Sequence, residues 1–564
     1  SELPTDFALP KVGAAWDELV RDPDAKRGLH AFAACTMLSL RKSLRRGSVW
    51  VDHSLSFRER DRMLIPPSEW DRDRERYRGL LGLPATADEF IEPVLANLQV
   101  GLAAVAEANA QGRIEVDGNG LLHLPAITAL PDDGEPRRTR DLIYKAIGAI
   151  QFPDILLEVD APTNFSDELL GHRATDATEL LASYAALLAH GTDLDAKGVA
   201  AMIPGIETAH VSVAMRAIEG HGRLRRANER VVQFQGRFPL AAHWGSGARA
   251  SADMMALDTS PHLWSARVNP RRRTYAAGVY THVVDRWGIV YDQPIVLNER
   301  QAGAAIEGVE QVNLGADRVR LTLLAVDTCG YNNAALALAK LLGFDLCPRL
   351  RDLGERKLSL PSEVTVPESL ERVAVRRLSR KAIRAGWDDL LRLAASIRSG
   401  RIGADVALRW LGSAARGDGV YEAADQLGRL LRSVFLCDYP TIDGFRREIH
   451  TLLSRGESVH QLQRAVYAGK VLAERGRRPD ELRAIFGAHA LLTDVVLAWN
   501  TSRTNEVVER LRRGGMAIED DWLRRMGPAH FGHINFRGTF RFGMEKYAQA
   551  PIKPPVTVRG AASG

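Results

Sequence analysis

Between Arg318 and Lys357 the apolar positions change period three times. Val319, Leu321 and Leu323 alternate with polar residues, and Leu324-Ala325-Val326 then close into a continuous apolar patch. That is the profile of a strand buried on both faces. Asp327 ends it and Gly330 breaks the chain. Ala334 to Leu342 carries Leu338, Leu341 and Leu342 at helical spacing, with Gly343 as the C-terminal stop. Phe344 to Arg349 is again short, apolar and strand-like. The spacing predicts a β-α-β unit with a carboxylate at the carboxyl end of its first strand, where open α/β sheets place their chemistry. The competing reading makes Asp327 a cap for the helix that follows.

The same patterning divides the rest of the chain. Residues 1–130 read as a mostly helical N-terminal scaffold. Within it Arg41–Trp70 mixes basic and aromatic residues as a nucleic-acid surface does, or as a solvated helix and turn do. The polar run Pro131–Arg140 reads as a linker or loop opening a second helical scaffold, 131–233, interrupted by the apolar segment Ile155–Asp160. From Phe234 the period changes. His243–Asp258 is Gly- and Ser-rich and then apolar, and Thr274–Val284 and Trp287–Leu297 read as a hairpin about Asp285-Arg286. Glu299–Val312 reads as a helix. Three strands, a helix, a strand, a helix and a strand is the order of a ribonuclease H-like core, here spanning 234–353.

Residues 354–440 interrupt that core with helical, Arg-dense sequence. Val373, Arg377, Arg380, Lys381 and Arg384 fall on one side at helical spacing, and with Arg376 beside them they predict a basic face for phosphate or for solvent. Residues 441–515 return to core helices. Phe445, Ile449, Leu452 and Leu453 mark one, Arg455-Gly456 interrupts it, and Val459, Leu462 and Val466 start the next. Leu491–Trp499 lies on a further long apolar helix, and 516–564 is a tail, poorly ordered from Lys546. The fold class is therefore α/β: a ribonuclease H-like catalytic core with a helical insertion, preceded by mostly α-helical scaffold domains.

Composition narrows the function little. The chain's 564 residues suffice for roughly three to five domains with their own cores. A net charge of +5 mildly favours an anionic partner. Of 75 basic residues 64 are Arg, which grips phosphate bidentately, although a biased base composition produces the same skew. Cys35, Cys329, Cys347 and Cys437 are scattered without a CxxC pair, against a disulfide framework or a zinc site and for a reducing cytosol. No signal peptide and no continuous apolar run of bilayer length stands out. The chain opens at Ser1 without Met, which fits initiator removal or a start midway through a longer product.

A ribonuclease H-like core works through carboxylates that hold two divalent cations, and hard magnesium asks for oxygen ligands. Three acids stand where that fold needs them: Asp253 in the first strand region, Asp327 ending the fourth strand and Glu457 beginning a late helix. Asp258 competes with Asp253, and Ser454-x-x-Glu457 also reads as a capping box.

Several blocks carry a family resemblance. His243-Trp244-Gly245-Ser246-Gly247 through Ser251-Ala252-Asp253 is followed by Asn269-Pro270 and Tyr280-Thr281-His282. Asp327-Thr328-x-Gly330-Tyr331 precedes Pro348-Arg349-x-Arg351-Asp352-Leu353, then Arg455-Gly456-Glu457 with Gln463-Arg464-Ala465-Val466. Trp499-Asn500-Thr501 and His533-Ile534-Asn535 close the series. Together they resemble the transposases of the Tn-three family, the enzymes of replicative, cointegrate-forming transposons, in register from near Leu3 to about Gly538. Met254-Met255 stands where the family has Gly-Gln, and Ser246 where an Asp is common.

The resemblance implies a DDE triad of Asp253, Asp327 and Glu457 holding two Mg2+ per active site, with Mn2+ able to substitute. It implies nicking at 3′ ends followed by strand transfer in replicative DNA transposition. Arg349, Arg351 and His282 would join Arg376, Arg377 and Arg380 in contacting DNA. Partners would be the terminal inverted repeats and target DNA, with a homodimer assembled on DNA, no membrane, and a bacterial cytoplasmic, nucleoid-associated location. Members also extend upstream into a part that reads transposon ends, which this chain is expected to lack. A nuclease on the same fold and a catalytically silent DNA-binding remnant are the alternatives.

Overall fold

The computed structural model describes residues 14–54, 57–128, 134–315, 319–350, 357–373, 376–412 and 418–544. The tail from Lys546 and the side chain of Arg351 lie outside them. Fifteen elements organise the site and its supports. In chain order they begin with helices α1 (Ala87–Ala110), α2 (Phe152–Thr163), α3 (Ala177–Gly191) and α4 (Arg223–Gly236). Strands β1 (Arg249–Asp258), β2 (Tyr275–Val284) and β3 (Ile289–Ile295) follow, then α5 (Ala302–Asn313), β4 (Leu323–Val326), α6 (Asn333–Leu341) and β5 (Asp345–Pro348). The last four are α7 (Arg380–Arg398), α8 (Gly419–Thr441), α9 (Phe445–Val466) and α10 (Pro479–Arg513).

The chain forms two compact units: residues 1–123, 332–343 and 353–441, and residues 124–331, 344–352 and 442–564. Compactness thus groups the predicted N-terminal scaffold with the predicted insertion, and the second scaffold with the core. In the first unit α1 buries Ile91, Leu95, Leu98, Leu102 and Val105 along one side, the 3.6-residue stripe of an amphipathic helix. The Thr86 capping box fixes its start. α6 and α8 meet so closely that a Cβ on Gly428 would stand 1.8 Å from the Asn333 carbonyl oxygen, so only glycine fits there. Trp70, in the basic-aromatic stretch, is buried and stacks on Tyr77. The helix Ala25–Arg46 before it is largely exposed.

The second unit holds the sheet. β1 pairs antiparallel with β2, β2 antiparallel with β3, β1 parallel with β4, and β4 parallel with β5. The order is β3-β2-β1-β4-β5, with the two-residue strand Arg267–Val268 sharing the outer edge of β2. β2 and β3 are the hairpin read from the alternation, turning through Asp285–Gly288. The segment Ile155–Asp160, read as a break, lies within α2, because its run of buried side chains serves a helix packed on all sides. Met255, Leu257, Ala277 and Val279 on one sheet face join Leu482, Ile485 and Phe486 of α10 in a core patch. Each fully buried Met, Leu, Ile, Val or Phe among them contributes about 1.5–3 kcal/mol.

Among the described residues two helices, α1 and α10, are long and apolar enough to cross a membrane by length and composition. Both carry polar residues interspersed along the helix, so neither reads as a continuous apolar run. The most apolar stretch of α10 is 89% buried within the protein, which accounts for its composition.

Candidate active site

The parallel register that pairs Ala252 with Val326 sets the next residues side by side, Asp253 in the middle of β1 and Asp327 just past the carboxyl end of β4. Asp253 is half-buried, and one of its oxygens accepts the Met254 N–H at 2.7 Å. Asp327 lies at φ −73°, ψ 171°, still extended, and its carbonyl closes the short 3-10 turn Thr328–Gly330 by accepting the Gly330 N–H at 2.8 Å. Thr328 Oγ1 donates to the Arg349 carbonyl at 3.3 Å, tying that turn to the end of β5.

The third acid comes from α9. That helix runs unbroken from Phe445 to Val466, so Arg455-Gly456 does not interrupt it and Ser454 cannot cap it. Glu457 is therefore a mid-helix residue, and the capping-box explanation falls. Gly456 lets α9 approach β1: a Cβ there would stand 2.9 Å from Ser251 Oγ. On the facing strand this brings Asp253 beneath Glu457. Ligand atoms of Asp253, Glu457 and His460 all lie within 4.8 Å of one another, while Asp327 stands outside that tight group among the described residues. Asp258 is excluded from it, since its carboxylate accepts from Thr274 Oγ1 at 3.0 Å and pairs with Arg272.

The electrostatics suit a cation. Burial pushes the Asp253 carboxyl above its ordinary value, and the charges of Asp327 and Glu457 push it further while His460 opposes them. Glu457 is held down to about 2, first by His460 and then by Arg464, whose Nη1 donates to Oε1 at 3.0 Å. Burial together with the Asp253 and Asp327 charges raises the Tyr280 hydroxyl well above its usual range. A half-buried carboxyl whose charged form is penalised by burial and by neighbouring carboxylates fits a divalent ion, which removes the penalty on binding.

The model of the Tn3 transposase DDE domain matches residues 154–540, which enclose all three acids. The chain belongs to the Tn3 transposase DDE family. It is 41% identical over 561 residues to the transposase for insertion sequence element IS1071 in transposon Tn5271 of Comamonas testosteroni, covering 99% of this chain and 57% of that one. It is 28% identical to the transposase for transposon Tn21 of Escherichia coli (98% and 56% covered) and 29% to that for Tn501 of Pseudomonas aeruginosa (96% and 54%). The chain thus spans little more than half the length of these relatives.

Several Tn3-type blocks turn out to be structural. Trp244 Nε1 donates to the carbonyls of Leu523 and Met526, and Asn500 Nδ2 to those of Pro528 and His530. These bonds dock the segment after α10 onto the core. Met255 fills the apolar patch and Met254 lies under Gly278 on the opposite face, so both departures from Gly-Gln are absorbed by packing.

The predicted DNA contacts divide. His282 is corrected: it pairs with Ala252 on the face away from Asp253, is fully buried, and shares its Nε2 with the Ala305 carbonyl at 2.9 Å. Gly308 of α5 packs against its ring, where a Cβ would come within 2.1 Å, so this imidazole braces the sheet and cannot reach a phosphate. The single basic helical face is corrected too. Arg376 and Arg377 form a short strand pairing with Ser359 and Leu360, and the helix starts only at Arg380. Arg380 is spent on Glu363, Asp88 and Glu92 at 2.7, 2.8 and 2.5 Å, and Arg384 on Asp88. Arg377 is exposed. Arg349, half-buried beyond β5, lies near His450 and has no side-chain partner among the described residues. His460 and Arg464 were missed as site residues. Their signal was the spacing i, i+3, i+7 from Glu457, which places all three on one side of a helix.

Proposed function

We propose that this chain carries the catalytic core of a DNA transposase that nicks at 3′ ends and joins them to target DNA. The observation that carries the reading is Asp253 and Asp327 side by side on adjacent parallel strands with Glu457 of α9 facing them. The order β3-β2-β1-β4-β5 with α5 after the third strand and α6 after the fourth supports a ribonuclease H-like core. We read residues 354–440 as its helical insertion.

Asp253, Asp327 and Glu457 would hold two Mg2+, or Mn2+ in their place. Such ions lower the cost of the attacking oxygen's charge and stabilise that of the leaving oxygen in an in-line displacement. In the first displacement a water oxygen bonds to phosphorus, the bond to the element's 3′ oxygen breaks, and that oxygen leaves as a hydroxyl. In the second, this 3′-OH attacks a target phosphodiester and a target 3′-OH leaves. One phosphodiester is exchanged for another, so no nucleotide cofactor is required. Arg464 holds the Glu457 carboxylate in place, and the turn at Thr328–Gly330 fixes Asp327. Arg349 and exposed Arg377 would contact backbone phosphates, with Arg351 and Arg376 beside them in sequence. The partners are terminal repeats and target DNA, bound by a homodimer at the bacterial nucleoid.

End-labelled DNA bearing the repeats that flank the gene, with supercoiled target and Mg2+, tests this. Denaturing and native gels should show single-strand nicks and branched strand-transfer products, both lost in Asp327→Asn. Cutting without joining would mark a nuclease, binding without reaction a silent remnant, and clean double-strand excision would refute the replicative reading.

A further inference from the structure

The Asp253–Glu457 pair has a neighbour that an all-carboxylate site does not use. His460, one turn after Glu457 on α9, is 1% exposed, and its Nδ1 lies 3.7 Å from Glu457 Oε2. Its Nε2 is buried with no hydrogen-bond partner among the described residues. An octahedral shell with bonds near 2.1 Å sets adjacent ligand atoms about 3 Å apart and opposite ones about 4.2 Å apart. The mutual 4.8 Å limit within which Asp253, Glu457 and His460 fall is close to that spacing. Small rotations of the exposed Glu457 side chain would close the difference.

We propose that His460 is a nitrogen ligand to one of the two divalent cations, completing an Asp253–Glu457–His460 set. This rests on reading the acidic site as a metal centre. Imidazole is a poor ligand for Mg2+ and a good one for Mn2+ and later first-row metals, so the set shifts preference towards Mn2+ at that position. The ring would bind through Nδ1, which faces the carboxylates, leaving the proton on buried Nε2. Asp327, outside the tight group, remains for the other ion.

The test uses the full chain with Mn2+ alone as the probe. Pulsed electron paramagnetic resonance of bound Mn2+ should show the nitrogen modulation of a directly coordinated imidazole. His460→Gln should abolish that modulation while Mn2+ still binds, roughly tenfold more weakly. Mn2+ binding that Asp253→Asn removes, but without nitrogen modulation or with modulation that survives His460→Gln, overturns the ligand role and leaves the metal centre standing. Binding indifferent to Asp253→Asn overturns the metal centre itself. Anomalous scattering from Mn2+ in crystals of the unaltered chain decides without a variant: an ion within about 2.5 Å of the ring nitrogen supports the assignment, and one beyond about 3.5 Å refutes it.

Discussion

Gly456 stands one residue before Glu457, where α9 crosses β1. A Cβ added there would lie 2.9 Å from Ser251 Oγ and 3.9 Å from Ser251 Cβ, against an ordinary contact beginning at 3.4 Å. Gly456→Ala therefore asks for about half an ångström of movement in a close-packed interior. Overpacking of this kind costs about 1–3 kcal/mol, and alanine returns about 1 kcal/mol through its better helix propensity. The net effect runs from near neutral to about 2 kcal/mol of destabilisation. Because Ser251 is short and 2% exposed, it has little room to turn, and the displacement falls on the helix carrying Glu457. A 1 Å misplacement of a catalytic group costs on the order of 100-fold, so half of that predicts roughly a tenfold loss in strand-transfer rate, with a weaker Mn2+ affinity. Ser251→Ala removes the clashing oxygen and leaves only the 3.9 Å contact, so the double variant should recover to within about twofold. Thermal unfolding, Mn2+ titration and end-labelled strand-transfer assays read the three quantities. A double variant as impaired as Gly456→Ala would show that the α9–β1 spacing does not set the site.

Other expectations follow from the same geometry. Asp327→Asn should eliminate nicking while duplex DNA affinity changes less than about twofold, because under the proposed function it removes a metal ligand and no phosphate contact; a parallel loss of binding would reassign it. Arg377→Glu should flatten the slope of log affinity against log salt by about 1 if that segment touches the DNA backbone. Arg380→Ala should instead lower the unfolding midpoint and leave the slope unchanged, since its three ion pairs are internal. Buried Asp494 accepts the Ile289 N–H with both oxygens, and burial raises its carboxyl well above the ordinary value. The folded chain then binds this proton more tightly than the unfolded one, so stability falls as pH rises from about 4 through the folded value, by about 1.4 kcal/mol per unit. Asp494→Asn keeps an acceptor without the ionisation, so its stability relative to the unaltered chain should climb over that window and level off. A pH-independent difference in urea unfolding would refute the account.

The sequence by itself determined what depends on local periodicity. Alternation located β2, β3 and the strand ending at Asp327, and turn and stop signals at Gly330 and Gly343 bounded the β-α-β unit. Place in the predicted strand order, together with the family resemblance, singled out the three acids, and the fold then brought Asp253 and Glu457 together and Asp327 alongside. Tertiary structure decided whatever depends on partners distant in the chain. Asp253 was preferred over Asp258 because β1 pairs with a strand some seventy residues later in a register that only non-local hydrogen bonds fix. His282 became a brace because alternation says which residues share a face, not which face meets α5. The glycine at 456, read as a break, is instead the point of closest approach between α9 and β1; glycine's meaning lies in what stands opposite it. Arg380 looked like part of a phosphate-binding face because charge is visible in sequence, whereas the carboxylates of Asp88 and Glu92 that neutralise it come from a helix nearly three hundred residues away.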